Sequence, residues 1–346
     1  MMKMKASLVK MVMAASLAAM MVVASGCGGS KKAAPAAGGA EQKVNLKMAT
    51  QLAASHPLVK AMDTFKKKVA EKTKGSVTIQ IYPAGQLFND KTMNDALMSG
   101  GIDLGLNTVG RWASIIPAMD VFDVPFLFPS YESVSKAIDG GVGATLGAEL
   151  EKKGVRPIIW ADYGFVEVAN DKKEIKTPAD FAGLKIRGYS KYSTETIKAL
   201  GASSVTMGSG EVYMAIQRGT IDGQISGPSA MRDRKMYEVH KYMTVTNNAS
   251  PEFILAMNGK SFAKLSEAQK KAVTEAAAEV QQMIRANAKK EDLESMKTLQ
   301  AKGMVLYQIP AAELPQWQKA TKPVWDMFIK ENGQVGQKLI DICTKK

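Results

Sequence analysis

The chain has 346 residues, 46% of them hydrophobic, enough to bury one large core or two ordinary ones. Lysine and arginine number 46 against 33 acidic residues, a formal charge of +13, and with 23% charged residues the bulk is globular rather than disordered. Two cysteines and two histidines argue against a disulfide scaffold, a zinc finger or a histidine-rich metal site, and no metal or cofactor is expected.

At the N-terminus Lys3, Lys5 and Lys10 precede an apolar run, Met11 to Ala24, interrupted only by Ser16 and leading into Ala24-Ser25-Gly26-Cys27. Basic, then apolar, then small residues is the order of an export signal, and the run falls short of the roughly 20 residues that span a bilayer. Small residues directly before Cys27 resemble the lipobox of bacterial lipoproteins, in which the cysteine is diacylated and becomes the first mature residue. An ordinary signal peptide cut nearby would instead leave Cys27 incidental. Residues 1–26 therefore read as a signal peptide and 27–42, small and polar without hydrophobic period, as a flexible tether. The expected location is extracytoplasmic, with a lipid anchor at Cys27. Cys343 lies among Val335, Leu339 and Ile342 and reads as a small helix-packing residue.

Beyond the tether, strand and helix patterns alternate. Val44 to Thr50 alternates apolar and polar residues as a strand does, and His56 to Lys74 carries Leu58, Met62, Phe65 and Val69 at helical spacing. Ser76 to Tyr82 is a second strand, Asn89 to Ser99 a helix with Asn89 as its N-cap, and Ile102 to Leu106 a third strand. Further short strands are predicted at Val155 to Ala161, Leu184 to Gly188, Ser204 to Met207, Tyr242 to Thr246 and Glu252 to Met257. Helices are predicted at Lys191 to Leu200 and Gly210 to Gln217. This order argues an α/β fold with mostly parallel sheet, helices on both faces and two domains. Ser266-Glu267-Ala268-Gln269 has the capping-box pattern, and no glycine or proline interrupts the helix-forming sequence from there to Gly303. Such a helix either kinks or braces both domains.

The motifs in order are specific. They are Ser55-His56-Pro57, Tyr82 to Leu87 (YPAGQL), Val124 to Phe128 (VPFLF), Tyr163-Gly164-Phe165, Gly183 to Arg187 (GLKIR), Leu200-Gly201-Ala202, Gly210 to Gly219 (GEVYMAIQRG) and Ile221-Asp222-Gly223. As a set the chain resembles the DctP family, the solute-binding proteins of tripartite ATP-independent periplasmic (TRAP) transporters, over about Val44 to Ile342. The resemblance implies a two-lobed periplasmic-binding-protein-like fold with a ligand cleft between lobes and a long helix spanning both. Lobe I would comprise 43–165, completed by about 248–285, and lobe II 166–247, completed by about 286–346. It implies a monomeric receptor that captures a small organic acid without covalent chemistry and hands it to the membrane permease subunits.

The resemblance also implies a role for Arg187, which ends its strand and would form a salt bridge with the ligand carboxylate. A guanidinium presents a planar pair of donors matching both carboxylate oxygens, and a position past a strand's carboxyl end is where open α/β sheets bind ligands. Many family members carry a second arginine directly after Tyr-Gly-Phe, where this chain has Val166 and then Glu167. If Val166 faces the cleft, the site loses one cation and a monocarboxylate is favoured over a C4-dicarboxylate. If the register slips by one, Glu167 enters and favours an amine. Trp112, Trp160, Tyr163, Phe165 and Tyr189 cluster near predicted strand ends; core packing is the rival reading, strongest for Trp160 after Ile158-Ile159, and Tyr163, Phe165 and Tyr189 are the preferred cleft aromatics. Gln51, His56, Asn107 and Thr108 follow strands and could supply neutral hydrogen bonds, although His56 could instead cap its helix. Met207 ends another strand near the cleft. Gln224 and Ser226 stand where many members have a Gln-Glu-Asn-Pro run, leaving a smaller, less polar wall.

Rival functions are weaker. An ABC-type receptor has a similar two-lobe shape but lacks the Arg187 motif with the single long helix. A secreted serine hydrolase rests only on Ser261-Phe262-Ala263-Lys264, unaccompanied by the partner motifs of that chemistry. Lysines scattered as pairs among acids, behind an export signal, argue against nucleic-acid binding.

Overall fold

A computed structural model describes residues 42–345, so the expected signal peptide, Cys27 and nearly all of the tether lie outside the described residues. The strands are β1 (Val44–Thr50), β2 (Val77–Tyr82), β3 (Leu104–Thr108), β4 (Val155–Asp162), β5 (Val166–Asn170), β6 (Lys185–Gly188), β7 (Ser203–Thr206), β8 (Gly223–Ser226), β9 (Tyr242–Ala249), β10 (Glu252–Asn258) and β11 (Val305–Gln308). They form a 5-stranded sheet in the order β2-β1-β3-β10-β4 and a 6-stranded sheet in the order β11-β9-β5-β8-β6-β7. Each sheet with its helices is one lobe.

The sheets are more mixed than the expected mostly parallel arrangement. The chain crosses from β4 into β5 through Tyr163-Gly164-Phe165 and returns from β9 into β10 through Ser250-Pro251. Crossing strands reverse direction relative to their neighbours, so β10 runs antiparallel to β3 and β4, and β5 antiparallel to β8 and β9. The βα-connected pairs β1–β2, β1–β3, β6–β7 and β6–β8 are parallel, as crossover helices require.

The first helix, Pro57–Lys72, starts on His56, whose ring Nδ1 accepts from Leu58 N. Its apolar stripe Leu58, Met62, Phe65 and Val69 is buried in the first lobe's core. The helix expected from Asn89 begins later, at Met93, because the Asn89 side-chain Oδ1 accepts from Lys91 N and Thr92 N and holds the chain in a turn.

The long helix runs Glu267–Ala301 without interruption, 35 residues or about 52 Å. Ser266 Oγ accepts from Gln269 N while the Gln269 side chain accepts from Ser266 N, the reciprocal cap the sequence encodes. Val273, Ala276, Val280 and Ile284 pack in the first lobe, and Leu299 packs in the second. The helix thus spans both lobes.

The C-terminal helix, Leu314–Thr344, corrects the expectation that residues 286–346 complete the second lobe. Trp317 packs there, but Val324, Phe328, Leu339, Ile340 and Cys343 are buried in a first-lobe core with Trp112, Phe122 and Trp160. The change of core falls between Trp317 and Val324, whereas Gly333, at φ +54°, breaks the helical path within the first-lobe portion. Burial pushes the Cys343 thiol up to about 12. Among the described residues no helix is long and apolar enough to cross a membrane.

Candidate functional site

In β6, Ile186 is buried in the second lobe's core, so its neighbour Arg187 faces the other way, at the carboxyl end of a strand flanked by two parallel partners. There the lobes meet around a cavity of about 40 Å³. Gln51, after β1, and Thr108, ending β3, line it from the first lobe; Val166, Arg187, Tyr189 and Ser226 line it from the second. Tyr163, on the crossover, forms another wall.

Arg187 is 4% exposed. Its Nε and Nη2 donate to the Met207 carbonyl at 3.2 and 3.0 Å, and Nη1 donates to Ile225 O at 3.4 Å. Its guanidinium lies 5.7 Å from the centre of the Tyr189 ring. Burial first, then the repulsion of Arg111 and Arg234, lowers its pKa to about 10, so it stays charged at neutral pH.

Arg234, not among the residues expected from the sequence, also lines the cavity. Its Nη1 donates to Ser209 O at 3.3 Å and Nη2 to Gln51 O at 3.5 Å. A signal for it existed: Ala230 and Arg234 lie four residues apart on and just beyond the short helix Pro228–Asp233, and both reach the cavity. With Val166 in the lining as expected, the cavity nonetheless holds a second guanidinium besides Arg187, that of Arg234. Arg111 stands beside them but is paired with Asp90, Nη2 to Oδ2 at 2.8 Å.

Val166 faces the cavity and Glu167 the opposite side of β5, where its carboxylate accepts from Thr246 N, from Thr246 Oγ1 at 3.2 Å and from Asn247 N at 3.0 Å. Burial raises Glu167 to about 8.

Other expected residues lie behind the cavity. His56 caps its helix, approaches Ser229 Oγ through Nε2 at 3.3 Å and stacks flat on Tyr163, ring centres 5.7 Å apart. Asn107 is spent on Asp90 O, Asn94 Oδ1 and Thr108 N. Phe165 packs edge-on against Tyr131 in the core. Gln224 is buried beside His240. Met207 contributes its carbonyl, which holds Arg187, while its side chain packs in the second lobe. Trp112 and Trp160 are core residues. Ser261 Oγ donates to Asp103 Oδ1 at 2.6 Å. Among the described residues no three His, Cys, Asp or Glu side chains are grouped to hold a metal ion.

Contacts between lobes close the cavity. Ser209 Oγ donates to Gln51 Oε1 at 2.6 Å, Tyr189 OH to Asp123 Oδ1 at 2.7 Å, and Lys91 Nζ pairs with Glu211 at 3.0 Å. Gly227 permits a further close approach, since a Cβ there would lie 2.5 Å from the Tyr163 ring. A larger cavity of about 290 Å³ opens behind Tyr163, among His56, Asp162, Ser229 and Asn287. The smaller one is the stronger candidate because it alone collects the unpaired guanidiniums of Arg187 and Arg234.

A family model described as DctP, bacterial extracellular solute-binding protein, family 7, matches residues 48–332. The C4-dicarboxylate-binding periplasmic protein DctP of Rhodobacter capsulatus is 28% identical over 84% of this chain and 88% of its own. Among solved structures, the sugar acid binding protein DctPAm of Advenella mimigardefordensis, in complex with galactonate, superposes with a TM-score of 0.84 at 26% identity, covering 88% of this chain and 98% of that one. A TRAP periplasmic solute-binding protein of Sulfurospirillum deleyianum with bound succinate gives 0.81 at 27% identity, covering 87% and 99%.

Proposed function

Because the chain belongs to the DctP family of bacterial extracellular solute-binding proteins, we propose that it is the extracytoplasmic receptor of a TRAP transporter, closing its lobes over an organic acid for delivery to the membrane permease. Arg187 carries this reading: a buried guanidinium at the carboxyl end of a central strand, its fork steadied by carbonyls. A ligand carboxylate supplies the counter-charge that Met207 O and Ile225 O do not. The relatives named for C4-dicarboxylates, galactonate and succinate have a carboxylate in common, which supports that part of the ligand. Tyr163 and Tyr189 offer flat walls for the remainder, and Gln51, Thr108 and Ser226 neutral hydrogen bonds.

Calorimetric titration with succinate, galactonate and related acids tests the reading. Removing one partner of a desolvated charge pair costs about 2–5 kcal/mol, so Arg187→Ala should weaken binding about 30-fold to several thousand-fold. Arg187→Lys should restore only part, since an ammonium cannot present the fork. An Arg187→Ala protein with unchanged affinity would overturn the assignment.

The segment Ala24-Ser25-Gly26-Cys27 supports attachment of the receptor to the membrane through a lipid on Cys27. Cys27→Ser should move the protein from membrane to soluble fractions, and unchanged membrane association would reject the anchor.

A further inference from the structure

We infer, resting on the receptor reading, that Asp120 and Asp123 form a proton-sharing pair between the lobes and that the protein takes up a proton from solvent as it closes over its ligand. The pair sits on the short helix Pro117–Asp123, whose apolar residues Met119, Val121 and Phe122 pack in the first lobe. Asp120 is 2% exposed and Asp123 1%. Tyr189 reaches across from the second lobe and donates its hydroxyl to Asp123 Oδ1 at 2.7 Å. Asp123 Oδ2 and Asp120 Oδ1 are buried and find no donor among the described residues. Both lie against Gly110, where a Cβ would come 3.1 Å from the first and 3.6 Å from the second. Ser190 also packs on Gly110, but its hydroxyl is given to Ser193 Oγ at 3.1 Å.

Two carboxylate oxygens side by side without a donor repel each other, and a proton on one turns it into the donor the other lacks. Asp123 keeps the Tyr189 hydrogen bond and is the charged member, while burial, and then the charge of Asp123, hold Asp120 well above the ordinary carboxylate range. The other charged groups facing the pair are already matched. Lys191 Nζ pairs with Glu331, from the C-terminal helix, at 2.6 Å, and Tyr192 OH donates to the same carboxylate. Arg111 pairs with Asp90 at 2.8 Å. A groove of about 520 Å³ runs between the lobes here, with Gly110 and Asp120 on one side and Tyr189, Ser190 and Thr206 on the other. As the lobes part along it, Tyr189 and Ser190 withdraw, water reaches the pair, and both acids ionise in the ordinary range, at about 4. Closing strips that water away, and two adjacent buried charges with a single hydroxyl donor are not sustained. Because the raised pKa belongs to the closed state, binding strengthens as pH falls, by up to about tenfold per pH unit. The receptor thus grips its ligand more firmly in acid surroundings.

The test is calorimetric titration with succinate and galactonate, between about pH 7 and 8, in two buffers of different protonation enthalpy, which counts the protons bound with the ligand. In this window the carboxylates of both probes stay ionised and ordinary histidines are largely neutral. The unaltered protein should take up about one proton per ligand and bind up to about tenfold more tightly at the lower end of the window. Asp120→Asn puts an amide where the protonated carboxyl stands, keeping an oxygen and supplying an N–H to Asp123 Oδ2. Its proton uptake should fall by about one and its affinity should no longer change across the window, and at pH 8 it should bind more tightly than the unaltered protein. Asp123→Asn, which keeps an acceptor for the Tyr189 hydroxyl, should lose the uptake likewise, so the test stands if either replacement fails to fold.

Binding by the unaltered protein without proton uptake overturns the inference and leaves the receptor reading standing. So does uptake that persists undiminished in the asparagine variants, since the proton would then belong to another buried carboxyl such as Asp292 or Glu167. An Asp120→Asn protein that binds more weakly at every pH with its uptake intact would make Asp120 a packing residue alone, and rejects the inference too. Normal binding by Arg187→Ala touches only the receptor reading at its own anchor. Failure of the unaltered protein to bind either acid overturns both.

Discussion

Asp292 shows how much one side chain can fix. From the long helix, its Oδ2 accepts Tyr131 OH at 2.7 Å and Phe165 N at 3.0 Å, gripping the crossover between lobes. Gly164 makes room: its φ is +97°, and a Cβ there would lie 2.2 Å from that same oxygen. Burial raises Asp292 to about 7 and, across β5, Glu167 to about 8. Asp162 and Glu252, cross-strand partners beside the crossings, are also raised by burial, Asp162 to about 6. A carboxyl whose folded pKa lies above its unfolded value near 4 holds its proton more tightly in the native state, so stability falls as pH rises through that interval. The buried histidines act in the opposite sense. Burial lowers His56 and His240 to about 3, and their contribution is lost as pH falls below the ordinary value of 6.5. Well above pH 6.5 the histidines are largely neutral in both states, leaving the buried carboxyls raised by desolvation, Asp120, Glu252, Glu167 and Asp292, to set the slope. The melting temperature should therefore fall from about pH 7 to 8, and Asp292→Asn with Glu167→Gln should lessen that decline. Both replacements keep an oxygen acceptor for the existing donors. A slope unchanged in the double variant would reject the attribution.

Elements differed in how far local pattern could find them. The first helix and β1 announce themselves through clean periodicity, and the long helix through its capping box and an uninterrupted run of helix-forming residues. The strands β8 and β11 carry no clear alternation, unlike β6 and β7, equally short at 4 residues but lying in the predicted runs Leu184 to Gly188 and Ser204 to Met207. The C-terminal helix contains Pro323 and Gly333, local stop signals overridden by packing of Trp317 in one lobe and Phe328 and Leu339 in the other. Periodicity also says nothing of strand direction. The antiparallel pairs arise because β5 and β10 are entered from the opposite lobe, a fact of chain path.

At the scale of the whole molecule, two lobes joined by two crossings and braced by two long helices form a hinge. The closed arrangement is held by a handful of polar contacts, Ser209 to Gln51, Tyr189 to Asp123 and Lys91 to Glu211. Exposed ion pairs such as the last contribute only about 0–1 kcal/mol. A ligand that touched Gln51 and Thr108 on one side and Arg187 on the other would bind fully only with the lobes together, and would shift the population towards that state. Small-angle scattering should show a smaller radius of gyration with saturating organic acid than without, and coincident curves would count against the hinge.

The amino-acid sequence by itself determined the α/β alternation, the bracing helix, the family resemblance and the placement of Arg187 at a strand end, because each is written in residues close together in the chain. The alternation of Val166 and Glu167 was legible for the same reason, although which of them faces the cavity needed the register of β5. What only the tertiary structure decided is the company Arg187 keeps. Arg234 comes from a helix end 47 positions later, with Ser209 from a loop and Gln51 from the other lobe. His56 and Asn107, polar residues near the right strands, were drawn instead into a helix cap and a buried hydrogen-bond set. A site's charge balance is a sum over every group that folding brings within reach, and that sum exists only once the lobes meet.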